Sequence, residues 1–185
     1  MRIFGVCFFL LLLSACSTPT VRPPVSLYPS THVAASSIGN QQPVFVTVSD
    51  ARNLQSYSTA NISGSESVSQ IMADQITKGL KTQGFMPVNA ATNQQDQLSV
   101  KILTMDYRAL SGYMSSNTET FVSAEVTATK ASGATFTKTY NASAYNDSYM
   151  SISAQTPSAQ VNQAFDKLLN NILNDSSLIQ FLAKP

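Results

Sequence analysis

Hydrolytic or transfer chemistry needs a base beside a nucleophile, or two acids that oppose each other, and few side chains here could serve. The strongest candidates are the carboxylates Asp50, Asp106, Glu119, Glu125 and Asp147. Serine and tyrosine are plentiful, but His32 is the sole histidine and stands in a proline-rich stretch with no second ligand near it. It is not expected to act as a general base or metal ligand. No G-x-S-x-G, S-x-x-K or glycine-rich phosphate loop occurs, and Ser132-Gly133-Ala134-Thr135 departs from S-x-x-K at its last position. Both cysteines, Cys7 and Cys16, precede the patterned region, so it offers no disulfide, thiolate metal site or cysteine nucleophile. Asp50 and Arg52 alternate on one side after an apolar strand, where they suit an ion pair or an anion contact. The expectation is a protein that is not an enzyme and carries no cofactor and no metal.

The chain opens with Met1-Arg2, an apolar run from Ile3 to Leu13, and Leu13-Ser14-Ala15-Cys16. A charged start, a short apolar core and small residues before the cut describe an export signal over residues 1–15, too short to span a bilayer as a helix. Leu-Ser-Ala-Cys resembles the lipobox of bacterial lipoproteins. That resemblance implies cleavage between Ala15 and Cys16, diacylglycerol on Cys16 and acylation, palmitate included, of the new amino terminus. Several acyl chains hold a protein on a membrane where one is marginal. Ser17 rather than Asp after the cysteine implies, for a Gram-negative cell, the outer membrane with the domain facing the periplasm.

Past the leader, ten Lys and Arg stand against ten Asp and Glu, scattered singly, so no basic face for nucleic acid is formed. Residues 16–42 read as the acylated cysteine and a tether, because Pro19, Pro23, Pro24 and Pro29 block regular structure and the small polar residues bury little. A single globular domain is expected over residues 43–185.

That domain begins with a strand at Pro43 to Val48, followed by a loop with an extended piece near Leu54 to Tyr57. Ser63-Gly64-Ser65-Glu66 has the spacing of a capping box, and Val68, Ile71, Met72, Ile76 and Leu80 form one helical stripe ending at Gly84. Phe85 and Pro87 lead out of it. Gln97 to Tyr107 carries Leu98, Val100 and Ile102 on one face and Leu103, Met105 and Tyr107 on the other, as a central or kinked strand would. Arg108 to Asn117 reads as a loop. Residues 118–129 and 134–145 alternate as a hairpin, with Val122, Ala124, Val126, Ala128, Phe136, Tyr140, Ala142 and Ala144 inward and Ser123, Glu125 and Thr127 toward water. Thr156-Pro157 caps a helix whose stripe includes Val161, Phe165, Leu168, Leu169 and Ile172, and Leu178 to Leu182 makes a short last one. The order β-α-β-β-β-α-α predicts an α+β fold: a two-layer α/β sandwich with a four-stranded mixed sheet and helices on one face.

Lipobox, proline-rich tether, the V-x-V strand entering Asp50-Ala51-Arg52, Gln83-Gly84-Phe85, Lys138-Thr-Tyr-x-Ala-Ser-Ala-Tyr145 and the closing Leu178-Ile-Gln-Phe-Leu182 together resemble the YajG-like outer-membrane lipoproteins. That family has no catalytic motif to carry over. The functional expectation is a lipid-anchored, non-catalytic accessory module docking another envelope protein, with Asp50, Arg52, Ser123, Thr127, Thr137 and Thr139 as contact residues. The alternative is a small-molecule or lipid binder of an envelope transport or maintenance system, its cavity lined by Met72, Met86, Met105, Met114 and Met150.

Overall fold

A computed structural model describes residues 24–52, 61–63, 67–92, 95–111, 115–149 and 156–184. The leader, Cys16 and residues 17–23 of the expected tether lie outside the described residues, as do 53–60, 64–66, Met114, Met150 and the side chain of Asp147. In chain order the elements are β1 (Pro24–Ser26), β2 (Pro43–Asp50), β3 (Asn61–Ser63), α1 (Val68–Thr82), β4 (Met86–Val88), β5 (Asp96–Ser111), β6 (Ser115–Thr129), β7 (Thr135–Tyr149), α2 (Pro157–Leu173) and α3 (Ser176–Ala183). A mixed five-stranded sheet runs β4-β2-β5-β6-β7, and β1 pairs with β3 in a separate two-stranded sheet. β2 lies parallel to β4 and β5, while β5, β6 and β7 form an antiparallel meander. The α+β class and mixed sheet are as expected.

The sheet has one strand more than the four expected. β4 contains Pro87, which cannot donate to a ladder, and proline in a short run argues against a strand in sequence. It is tolerated because β4 is an edge strand, paired with β2 on one side only. The meander is also longer than expected, since Arg108 to Ser111 and Ser115 to Asn117, read as loop, continue β5 and β6.

Three helices pack against the sheet. Ser67, not Ser63, caps α1, its side chain accepting the Gln70 N–H at 3.2 Å. Thr156 caps α2 as expected, with proline following it. Phe165, Leu168 and Leu169 are fully buried with Ala124, Ala128, Ala142 and Ala144, so the small side chains of the hairpin admit the helix closely. α1 and α2 meet at Gly79, where a Cβ would come within 2.4 Å of Leu173. At one corner Lys130 Nζ donates to Asp96 Oδ2 at 2.6 Å and to the carbonyls of Leu182 (3.0 Å) and Lys184. The last helix is thereby tied to the turn between β6 and β7.

One assignment of a face and one of exposure are corrected. The register between β5 and β6 slips between Ile102 and Thr104, leaving Leu103 as an extra residue, so Met105 rejoins Ile102 on the buried face. Opposite this bulge Ser123, expected toward water, is buried and its hydroxyl bonds that of Thr104.

The larger correction concerns residues 24–42, expected as free tether. Val25 is fully buried, and from it the chain runs extended beside α2 as a strap. The N–H groups of Ser26, Tyr28, Ser30 and His32 donate in turn to Ser158 Oγ (3.1 Å), Asn162 Oδ1 (2.6 Å), Asp166 Oδ1 (2.7 Å) and Asn170 Oδ1 (2.8 Å). Two residues of extended chain advance about 6.6 Å and four of helix about 6 Å, so alternate strap residues keep step with every fourth helix residue. Further on, the N–H groups of Ser36, Gly39 and Gln41 donate to the carbonyls of Thr82, Gln83 and Gly84, groups that the end of α1 would otherwise leave unpaired. Gly39 is required there, because a Cβ would lie 2.4 Å from the Phe85 nitrogen.

Candidate functional site

Asp50 and Arg52 meet as their spacing suggested. Arg52 Nε donates to Asp50 Oδ1 at 2.8 Å and Nη2 to Oδ2 at 2.7 Å, a bidentate pair. The guanidinium holds the Asp50 carboxyl below its ordinary range, against the opposing effect of burial. The Arg52 side chain is only 5% exposed, and Nη1 lies 3.6 Å from Met105 Sδ. Each charge is therefore paired with the other at the end of β2.

The other predicted contact residues lie on the sheet face opposite the helices, where Ser123 is buried under Thr104 and the threonines are more open. Thr127 and Thr137 face each other across β6 and β7 with hydroxyls 3.2 Å apart, and Thr139 is exposed beside them. Toward the far end of the meander this face changes character. Phe121 and Tyr145 are 39% and 58% exposed, and Phe121 shares a recess of about 140 Å³ with Asp106, Arg108 and Glu119. Arg108 stands opposite Glu119 across the ladder and 3.9 Å from Asp106. Sequence reasoning missed Phe121 and Tyr145 as surface features. The signal was present, because both occupy polar-phase positions of an alternating hairpin, where an aromatic side chain is exposed to water.

A second recess, of about 530 Å³, lies between β7 and the end of α2. Asp175, the N-cap of α3, is its charged centre: Oδ2 accepts from Lys138 Nζ at 2.6 Å and Tyr140 Oη at 2.7 Å, while Oδ1 accepts the Ser177 N–H at 2.8 Å. Burial pushes this carboxyl up, but the bonds from Lys138, Tyr140 and the helix N–H groups outweigh it and hold it at about 2. Burial and the bond to Asp175 raise the Tyr140 hydroxyl, which stays protonated. Around this pair the lining is amide-rich, with Asn141, Asn170, Asn171 and Asn174.

Among the described residues no three His, Cys, Asp or Glu side chains stand close enough to hold a metal ion, and no helix is long and apolar enough to cross a membrane. His32 joins the strap through its main chain, its N–H to Asn170 and its carbonyl to Asn174 Nδ2 at 3.3 Å.

A profile of uncharacterized lipoproteins matches residues 29–183, from within the strap to the end of α3. The chain belongs to that lipoprotein family. No curated protein matches it. Among solved structures, the lipoprotein resembles a hypothetical protein from Chlamydia trachomatis at TM-score 0.52, with 9% identity over 77% of this chain and 98% of that one. It also resembles a DUF330 protein from Xanthomonas campestris at TM-score 0.50, with 13% identity over 86% and 94% of the two chains. At these identities the likeness concerns the fold alone.

Proposed function

We propose that this lipoprotein is a non-catalytic docking module, held by lipid on Cys16 at the outer membrane in the manner of YajG-like lipoproteins, which binds another envelope protein through the sheet face that no described helix covers. The observation that carries this reading is the asymmetry of the sheet. Its helix face is sealed by a core, whereas the opposite face presents Thr127, Thr137 and Thr139 and, farther along, Phe121 and Tyr145 beside Asp106, Arg108 and Glu119. Aromatic side chains ringed by charges suit a protein interface, in which a few buried aromatics supply most of the binding energy. An apolar ligand cavity has less support, because Met72 and Met105 are packed inside the core and Met86 lies exposed on the edge strand.

Position-resolved crosslinking in cells tests this reading. A photoreactive residue at Phe121 or Thr137 is expected to give a discrete adduct with one envelope protein, and the same residue at Gln163, on the exposed side of α2, none. With Cys16→Ser the chain is expected to remain an unprocessed, non-acylated precursor and to lose the adduct. Adducts at Gln163 alone, or adducts unchanged in the Cys16→Ser chain, would contradict the proposal.

A further inference from the structure

We propose a second binding site, independent of the uncovered sheet face: the amide-lined recess between β7 and α2 accepts an extended peptide segment of another protein, which adds to the sheet as a strand beyond β7. β7 is an edge of the sheet and fifteen residues long. Its outward main-chain groups can be identified from what already bonds them. Asn171 Nδ2 donates to the Asn141 carbonyl at 3.3 Å and Lys167 Nζ to that of Ser143 at 3.0 Å, so the carbonyls of these residues point away from β6. Main-chain direction alternates along an antiparallel strand, which turns the N–H and C=O groups of Thr137 and Thr139 to the same open side. Among the described residues no bond from α2 or the strap reaches them, and the recess opens at Thr139.

The lining selects the occupant. Lys138 and Asp175 neutralise each other at 2.6 Å, leaving no net charge to attract an anion, and the remaining lining side chains are mostly amides and hydroxyls, unsuited to an acyl chain. Asparagine presents donors and an acceptor together, the complement of a peptide group. α2 already uses it for that purpose toward the strap, which Asn162, Asn170 and Asn174 hold by its main chain. Asn171 offers the same chemistry toward the recess. A strand seated there would gain ladder bonds from Thr137 and Thr139 and amide bonds from α2, the pattern of recognition by strand addition. A second copy of this chain fits poorly, because each copy's α2 reaches over its own edge at Asn141 and Ser143 and leaves only a short open stretch to share.

The test uses the full-length protein in detergent and a blocked nine-residue peptide of alternating threonine and valine. Binding is expected to slow amide exchange at Thr137 and Thr139 and to shift the side-chain amide signals of Asn171 and Asn174. Thr139→Pro is expected to fold normally, since an outward N–H has no ladder partner to lose, and to weaken the peptide by about tenfold or more. Asn171→Ala is expected to fold and to weaken it less. If Thr139→Pro unfolds the protein, the assigned strand direction is wrong and the proposal falls. It also falls if the peptide protects neither threonine up to about 1 mM, a weak limit for a specific site. Concentration-dependent dimerisation abolished by Thr139→Pro would make the occupant a second copy and overturn the choice of partner.

Discussion

The strap at residues 24–33 and the hairpin of β6 and β7 are both extended chain, yet they reveal themselves in opposite ways. The hairpin carries its evidence within itself: alternating side chains, a turn closed at Gly133 and a partner strand a few residues away. Beyond its short pairing with β3, the strap makes its bonds with residues more than 130 positions distant, through helix side chains that accept main-chain N–H groups. Its own composition, proline-rich and polar, is what a disordered tether also shows. The difference teaches that order in such a segment can be encoded in the partner. Ser158, Asn162, Asp166, Asn170 and Asn174 recur at every fourth position of α2 as a row of short hydrogen-bonding side chains beside the apolar stripe. An ordinary solvated face would favour Lys and Glu there.

The comparison fails most visibly if the helix between the two regions is loosened. Phe165→Ala or Leu169→Ala is expected to cost about 2 to 5 kcal/mol in denaturant unfolding, the range for large apolar side chains removed from a core. A loss under about 0.5 kcal/mol at both positions would show that α2 does not seal the hairpin.

A smaller effect separates hydrogen bonding from charge in the strap. Burial raises the Asp166 carboxyl above its ordinary value, although the Ser30 N–H and His32 oppose that shift. A carboxyl with a raised folded pKa destabilises the fold once ionised: its penalty is absent below the unfolded value of 3.8 and grows as pH rises through the folded one. Asp166→Asn keeps an acceptor for Ser30 and removes that penalty. The variant is expected to melt at or above the wild-type temperature at neutral pH, with the gap closing as pH falls below 4, near the ordinary aspartate value. A variant clearly less stable at neutral pH would mean that the charge itself holds the strap.

Much of the fold was legible in the sequence because stripes of period two and of about 3.6 are local. The helix stripes, the hairpin phase and the Thr156 cap all rest on such periods. What was hidden depends on contacts between distant residues. Pro87 joins a sheet because its strand is an edge, Ser123 is buried because a bulge in β5 places Thr104 over it, and Lys130 leaves its turn to bond Asp96 and the end of α3. For the candidate site, the Asp50–Arg52 pair was legible from its spacing, but its burial against Met105 was not.

The strap also bears on the proposed anchoring. With the chain packed on the domain at Val25, no more than residues 17–24 separate it from Cys16, a reach of at most about 28 Å in place of the far longer one of a free 26-residue tether. Amide exchange on the strap tests this most directly. The N–H groups of Ser26, Tyr28, Ser30 and His32 are expected to exchange slowly compared with those of exposed Ala34 and Ala35, and Asn162→Ala is expected to release Tyr28 first. Uniformly fast exchange from residue 25 to residue 35, unchanged by Asn162→Ala, would return the segment to a free tether and contradict a strap bonded to α2.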